Sequence, residues 1–149
     1  MDVALVIPSK DNVQDDYEMM LDSIGELIKQ FSVLRNSSHF AIIQYGKNAK
    51  VSVTMTDLSK DDKRLWTKLE EVIRNLRDNS TDLGIGSNIS NALKTVAEDV
   101  FNEDNDLRPT SIDLVILVAR ELAVDDDTER VIKDLEVAHG NLRDSHLSL

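Results

Sequence analysis

The chain has 149 residues, the size of one ordinary domain, with 41% hydrophobic residues and a formal net charge of -11. So acidic a protein repels nucleic-acid phosphates and anionic membrane surfaces, and no apolar run reaches the roughly 18 residues of a spanning helix, so we expect neither nucleic acid binding nor membrane insertion. The absence of cysteine excludes disulfides, thiolate metal sites and a cysteine nucleophile.

The first half of the chain switches between strand-like and helix-like hydrophobic patterns. Residues 3–7 form a continuous apolar run, which predicts a strand buried on both faces. From Tyr17 to Phe31 apolar side chains recur every three or four residues, which predicts a helix of about four turns. Residues 39–46 predict a second buried strand. Residues 49–56 alternate strictly and predict a half-solvated edge strand of a hairpin, with four apolar side chains on one face: Ala49, Val51, Val53 and Met55.

The second half continues the alternation. Residues 65–76 have helical periodicity, a glycine-containing polar stretch follows at 77–88, and residues 89–101 predict another helix. The most apolar strand, predicted to be central, covers 112–119, and a last helix runs from about 125 to Gly140. This order predicts an α/β fold: a doubly wound, mostly parallel central sheet with one antiparallel edge strand and helices on both faces.

In such sheets ligands bind where the parallel strands end. The segments to examine are therefore "IPSKDN" after the first strand, "VAREL" after the strand at 112–119, and "GIGSN", which opens a helix. The last segment could hold a phosphate on its backbone amides. It lacks the lysine of a P-loop and the third glycine of a dinucleotide fingerprint, so ordinary turn glycines are the favoured interpretation.

Four segments together resemble a von Willebrand factor type A domain: "DVALVIPSKDNV", "FAIIQYGKNAKVSVTMTD", "GIGSNISNALKTVAEDVF" and "IDLVILVARE". The resemblance covers about residues 2–140 and rests on element order, loop lengths and the "QYG" and "G-x-[ST]-N" patterns. It implies a metal-ion-dependent adhesion site on the top face of the sheet. Its hard oxygen ligands, an Asp-x-Ser-x-Ser loop, a Thr and a further Asp, suit Mg²⁺ or Mn²⁺ and leave one position for a partner's carboxylate.

The ligands that the resemblance implies are mostly replaced in this chain. Pro8 stands at the first Asp, and Lys10 and Asn12 stand at the two serines. Ser87 keeps a hydroxyl at the position of the Thr, but Arg120 falls at the last Asp. Two anionic ligands are lost and two cations are gained, so we expect a degenerate site with no metal and no cofactor.

The two new cations have two interpretations. The ammonium of Lys10 or the guanidinium of Arg120 occupies the vacant cation position and pairs with Asp11, Asp82 or Glu121, or both side chains point into solvent. In either case the loops remain the candidate surface for a protein partner. The candidate partner-binding residues are Ser9, Lys10, Asp11, Asn12, Ser87, Asn88, Arg120 and Glu121.

No catalytic constellation stands out. The three histidines, His39, His139 and His146, are far apart in the sequence, and none lies near a serine in a nucleophile elbow. The acidic runs lack the spacing of an EF-hand calcium loop. We therefore expect a protein that is not an enzyme. Three N-glycosylation sequons, at Asn36, Asn79 and Asn88, shift the expectation modestly toward a secreted glycoprotein. Its signal peptide would then lie outside this sequence.

We interpret residues 1–149 as a single domain. The favoured function is a metal-independent, non-enzymatic protein-binding or scaffolding module, similar to the A domains of cell adhesion and extracellular matrix proteins. Its expected partner is another protein, such as a matrix component. The alternative is a small-ligand or nucleotide-binding domain of an enzyme or enzyme subunit. The family continues here into an apolar strand and a final helix, whereas "LRDSHLSL" is polar, so we expect either a truncated sequence or a sheet that lacks its last edge element. An uncovered sheet edge could pair chains into a homo-oligomer.

Overall fold

The computed structural model describes residues 1–34, 38–59, 65–78, 82–101, 113–119, 129–130 and 132–133. Within these ranges the strands are β1 (Asp2–Pro8), β2 (His39–Tyr45), β3 (Ala49–Ser59) and β4 (Asp113–Leu117). The helices are α1 (Lys10–Val13), α2 (Tyr17–Leu34), α3 (Leu65–Asp78) and α4 (Ile89–Thr95). A 3-10 turn (Gln14–Asp16) joins α1 to α2, and a π-helical turn (Val96–Val100) extends α4.

The four strands form one mixed sheet in the order β3-β2-β1-β4. β1 pairs in parallel with β2 and with β4, and β3 pairs antiparallel with β2. The predicted fold class is confirmed. The prediction of a central strand at 112–119 is not confirmed, because among the described strands β4 pairs only with β1. β1 has a neighbour on each side, and every one of its residues is buried.

Helices cover both faces of the sheet. Val3, Leu5 and Ile7 of β1 point to the face covered by α2 and α3, which we call the α2 face. Ala4 and Val6 point to the face covered by α4 and the π-helical turn, which we call the α4 face. Successive residues of a strand point to opposite faces, and this is why an uninterrupted apolar run suits a strand between two helical layers.

The edge strand β3 departs from the predicted strict alternation. Val51 pairs with Ile43 and Val53 pairs with Ile42, so β3 advances two residues where β2 advances one. This β-bulge leaves Ser52 as the extra residue. It also sends Val51 to the α4 face and Val53 to the α2 face, so the prediction that they share a face is wrong.

A buried chain of hydrogen bonds joins the sheet to the helices of the α2 face; we call it the Tyr17–Gln44 network. The hydroxyl of Ser52 donates to Gln44 Oε1 (2.8 Å), and Gln44 Nε2 donates to the hydroxyl of Tyr17 (2.7 Å). That hydroxyl donates in turn to the backbone carbonyl of Leu76 in the last turn of α3 (2.8 Å). Burial raises the pKa of Tyr17, an effect that the bond from Gln44 partly offsets, so the phenol is neutral at physiological pH.

The remaining predicted elements are partly described. The helix predicted at 89–101 is confirmed as α4 followed by the π-helical turn. Of the predicted last helix, residues 129–130 and 132–133 are helical, and Ile132 packs against the α4 face. Its other residues and the polar C-terminal segment lie outside the described residues. None of the described helices is long and apolar enough to cross a bilayer.

Replacing Tyr17 by phenylalanine tests the Tyr17–Gln44 network. The variant leaves the amide of Gln44 and the carbonyl of Leu76 without their shared hydroxyl in a buried environment. We expect the free energy of unfolding to fall by about 1–3 kcal/mol, measured by urea denaturation. The control is Ser23→Ala, whose exposed hydroxyl bonds only to its own helix and whose loss should change stability by less than about 0.5 kcal/mol. Equal stability of Tyr17→Phe and Ser23→Ala would contradict this account.

Candidate partner-binding surface

Three segments meet where the parallel strands end, which we call the upper end of the domain. Ser9 follows β1, the turn at residues 46–48 follows β2, and Val118 follows β4. The N–H of Ser9 donates to the carbonyl of Tyr45 (2.8 Å), and the N–H of Val118 donates to the carbonyl of Val6 (2.8 Å). Backbone pairing therefore continues to the last residues of the strands and sets the position of each loop.

The side chain of Tyr45 ties these strands together. It leaves the end of β2, and its hydroxyl donates to the carbonyl of Val118 beyond the end of β4 (2.8 Å). β1 lies between those two strands, so the ring bridges the strand from which the first loop departs. Burial raises the pKa of Tyr45 to about 12, so its hydroxyl stays protonated and remains a donor.

The first loop is short and tightly held. Pro8 is the last residue of β1 and pairs with Tyr45, and Ser9 is completely buried. Ser9 is therefore corrected as a candidate contact residue, because its side chain does not reach the surface. Asp11 and Asn12 belong to α1, but their side chains lie outside what the structure describes.

The exposed side chain of Lys10 makes a contact that neither predicted interpretation named. Its ammonium donates to the backbone carbonyl of Arg77 in the last turn of α3 (3.2 Å). The neighbouring carbonyl, that of Leu76, accepts the hydroxyl of Tyr17. Carbonyls in the last turn of a helix lack partners within the helix and carry its partial negative charge, so an ammonium there is stabilising. Lys10 thus ties the first loop to the end of α3, while the guanidinium of Arg77 pairs with Asp22 (3.0 Å).

The "GIGSN" segment docks against the hairpin turn. We call residues 82–88 the glycine loop and residues 46–48 the hairpin turn. Three backbone bonds join them: Asn48 N–H to the carbonyl of Leu83 (2.9 Å), Lys47 N–H to that of Gly84 (3.3 Å), and Asn88 N–H to that of Gly46 (3.0 Å). The glycines therefore serve a backbone-to-backbone contact, in agreement with their interpretation as turn glycines.

Gly84 cannot be replaced without strain. Its φ is 73°, in the left-handed region, and a Cβ added there would lie 3.0 Å from the Cβ of Lys47. Gly86, with φ 155°, lies against the backbone of the same lysine. A Cβ at Gly86 would lie 3.5 Å from the Cα of Lys47, an ordinary contact, so the close approach of the two segments depends on the missing side chain of Gly84.

Three of the predicted contact residues are exposed at the upper end: Lys10, Ser87 and Asn88. Asn88 also caps α4: its Oδ1 accepts from the N–H of Asn91 (3.1 Å), and its Nδ2 lies 3.5 Å from the carbonyl of Lys47. Its glycosylation remains a prediction. The other predicted residues, Asn36, Asn79, Arg120 and Glu121, lie outside the described residues.

The residues described at the upper end do not fit a divalent cation. Pro8 carries no ligand atom, Lys10 brings a positive charge, and Ser87 offers a single exposed hydroxyl. Mg²⁺ requires about six oxygen ligands, usually with one or two carboxylates. Within the described ranges, no group of three or more His, Asp or Glu side chains is arranged to hold a metal ion.

Two residues of this surface were not identified from the sequence. Ile85, at the tip of the glycine loop, is 84% exposed, and Lys47 is exposed beside it. Ile85 could have been identified from the sequence, because it is a large apolar residue between two glycines of a predicted loop. The bridge from Tyr45 to Val118 has no such signal, because the two residues are 73 positions apart.

Replacing Lys10 by methionine tests its role at the end of α3. Methionine keeps an unbranched apolar stem but removes the ammonium that bonds to the carbonyl of Arg77. We expect unfolding to become easier by about 0.3–1 kcal/mol at low salt, with a smaller difference at about 1 M NaCl because salt screens the interaction. Lys50→Met is the matched control, since Lys50 is exposed on β3. The two variants behaving alike in urea denaturation would argue against a specific role.

A pair of glycine substitutions tests the docked loop. Gly84→Ala forces a side chain into the left-handed region and against Lys47, so we expect a loss of about 1–2 kcal/mol. Gly25→Ala places the same methyl group inside α2, 3.9 Å from the nearest atom of Ile73, and should be neutral or stabilising by up to about 1 kcal/mol. Opposite signs in thermal denaturation are expected. A Gly84→Ala variant as stable as the wild type would show that the loop is not held as described.

Solved structures with the same fold include proximal thread matrix protein 1 from the mussel byssus. One crystal form superimposes with a TM-score of 0.70 and 19% identity, over 93% of this chain and 35% of that chain. A structure of the same protein with zinc in its metal-ion-dependent adhesion site (MIDAS) motif gives the same values, and a third structure gives a TM-score of 0.68. The chain thus spans about a third of the length of that protein, at 35% coverage, and at this identity the likeness establishes the fold.

A comparison with curated proteins gives no match. The chain does match a protein family, described as the von Willebrand factor type A domain, over residues 2–144. That range includes all four strands and the four helices described above. The match over most of the chain agrees with the sheet order, the antiparallel edge strand and the helices on both faces. The protein therefore belongs to the von Willebrand factor type A domain family.

Proposed function

We propose that this domain is a non-enzymatic protein-binding or scaffolding module that recognises its partner at the upper end without a metal ion. The observation that carries the proposal is the bond from the Lys10 ammonium to the carbonyl of Arg77. The family resemblance implies a metal-binding serine at this position. Here the loop is fixed by a side chain that brings its own positive charge to the end of a helix.

The exposed polar groups of the upper end support a protein partner. Ser87 and Asn88 offer a hydroxyl and an amide at the start of α4. The backbone bonds between the glycine loop and the hairpin turn hold both residues in place, so binding would not require ordering of the loop. The hydroxyl of Ser87 and the amide of Asn88 could therefore form hydrogen bonds with a protein partner whose shape fits this surface.

We place the domain outside the cell, as part of a secreted or surface protein of the matrix or adhesion class. Family membership supports this location, as does the fold shared with a matrix protein of the mussel byssus. The three sequons are consistent with it. No pair of a nucleophile and a positioned base is found among the described residues of the upper end, which favours binding over catalysis.

A thermal-shift experiment tests metal independence. For the wild type we expect the same Tm in EDTA, Mg²⁺ and Mn²⁺, because the described upper end lacks the oxygen ligands of a divalent cation. The comparison variant is Pro8→Asp, Lys10→Ser, Asn12→Ser and Arg120→Asp combined, which restores the ligands that the family resemblance implies and should gain a metal-dependent Tm. A saturable rise for the wild type, equivalent to about 2.7 kcal/mol at a hundredfold excess over Kd, would contradict the proposal.

The binding function itself is tested by immobilising the domain and passing matrix proteins over it in EDTA and in Mg²⁺. We expect an interaction of equal affinity in both buffers that weakens when Ser87→Glu is introduced, since that change adds bulk and charge to the exposed surface. Thr67→Glu, at an exposed position of α3, is the control. The same preparation is screened with nucleotides. Saturable stabilisation by a nucleotide would favour the alternative of a small-ligand domain.

A further inference from the structure

Two large apolar side chains are strongly exposed in the described part of the chain. Met19 on α2 is 66% exposed, and Ile85 in the glycine loop is 84% exposed. α2 packs on one face of the sheet, while the glycine loop leads into α4 on the other. The two side chains therefore belong to separate surfaces that a single copy cannot bring together.

The first surface, which we call the Ile85 surface, consists of Ile85 and Lys47. Ile85 lies between Gly84 and Gly86, which both lie against Lys47. A Cβ at Gly84 would meet the Cβ, Cγ and Cδ of Lys47 within 4 Å, so the lysine stem runs along the loop. The surface is thus apolar with a cation attached, and the bonds to the hairpin turn hold its backbone in place.

The second surface, which we call the Met19 surface, is apolar with acids around it. Met19 lies in the first turn of α2, and three acidic residues near it along the helix and the preceding 3-10 turn are exposed: Asp15, Asp16 and Glu18. Asp22, one turn further on, is already paired with Arg77 and is not counted with them. Methionine is flexible and polarisable, so it adapts to an aliphatic partner such as isoleucine. The charge around it is opposite to that of Lys47.

We propose that the Ile85 surface of one copy binds the Met19 surface of a second copy. Ile85 packs on Met19, and the ammonium of Lys47 lies among the acidic side chains that surround it. Because the two surfaces differ, the copy at each end of the assembly keeps one surface unused. Such a contact between unlike surfaces builds open chains of copies rather than closed dimers.

The contact is expected to be weak. It is smaller than the roughly 800 Å² per partner that stable complexes bury, and copies with a net charge of -11 repel one another. At about 0.15 M salt the screening length is about 8 Å, so the repulsion is reduced while neighbouring charges still interact. Association is therefore expected at about 0.1–1 mM. It requires no other partner and is independent of the proposed function.

Sedimentation velocity of the isolated domain at about 0.15 M NaCl tests the proposal, over a series from about 20 μM to about 1 mM. The sedimentation coefficient of the wild type should rise across the series beyond that of a dimer. Ile85→Ser and Met19→Ser should each remain monomeric. An equimolar mixture of the two variants should form dimers and stop there, because it contains one intact Ile85 surface and one intact Met19 surface for each pair of copies.

Charge-reversal variants separate the local contact from overall charge. Lys47→Glu and Lys133→Glu change the net charge equally, and both lysines are exposed. Lys47→Glu should weaken association at least tenfold, whereas Lys133→Glu should leave it within about twofold of the wild type. Both serine variants replace exposed side chains and should keep the wild-type Tm. A wild type that is monomeric at the highest concentration, a variant mixture that stays monomeric, or equal effects of the two reversals would each overturn the proposal.

Discussion

The burial of β1 between two parallel neighbours is the constraint on which the rest of the structure depends. All seven of its residues are buried, and it pairs with β2 on one side and β4 on the other. From Val3 to Ile7 the strand is apolar on both faces, so the polar side chains at its carboxyl end begin after Pro8. The residues that follow are held by the end of β2, through the N–H of Ser9, and by the last turn of α3, through the ammonium of Lys10.

The two tyrosines show how the domain secures that loop with neutral side chains. Tyr45 bridges the ends of β2 and β4 on the α4 face, and Tyr17 joins the sheet to α3 on the α2 face. Each tyrosine hydroxyl donates to a backbone carbonyl that would otherwise need water as its donor, and burial raises the pKa of both tyrosines. Lys10 adds a charged contact to the carbonyl of Arg77. Together these bonds give the upper end a fixed shape from protein groups alone, which supports the proposed recognition without metal.

The sequence was sufficient where one pattern determined one answer. Continuous apolar runs identified β1 and β2, helical periodicity identified α2 and α3, and the paired glycines identified the turn before α4. It was insufficient where a contact joined distant residues. The direction of the Lys10 side chain depends on Arg77 in the last turn of α3, 67 positions away in the sequence. The residues around a long flexible side chain do not indicate which distant group it contacts. Ser9 was a candidate because it belongs to the loop after the first strand, but its side chain is buried.

The bulge at Ser52 also affects how β3, an edge strand among those described, can pair with another molecule. A regular outer strand exposes evenly spaced donors and acceptors that template the strand of another molecule, the first step toward amyloid. In β3 the extra residue interrupts that spacing and turns its hydroxyl inward to Gln44. The bulge therefore disfavours edge-to-edge pairing of copies along β3.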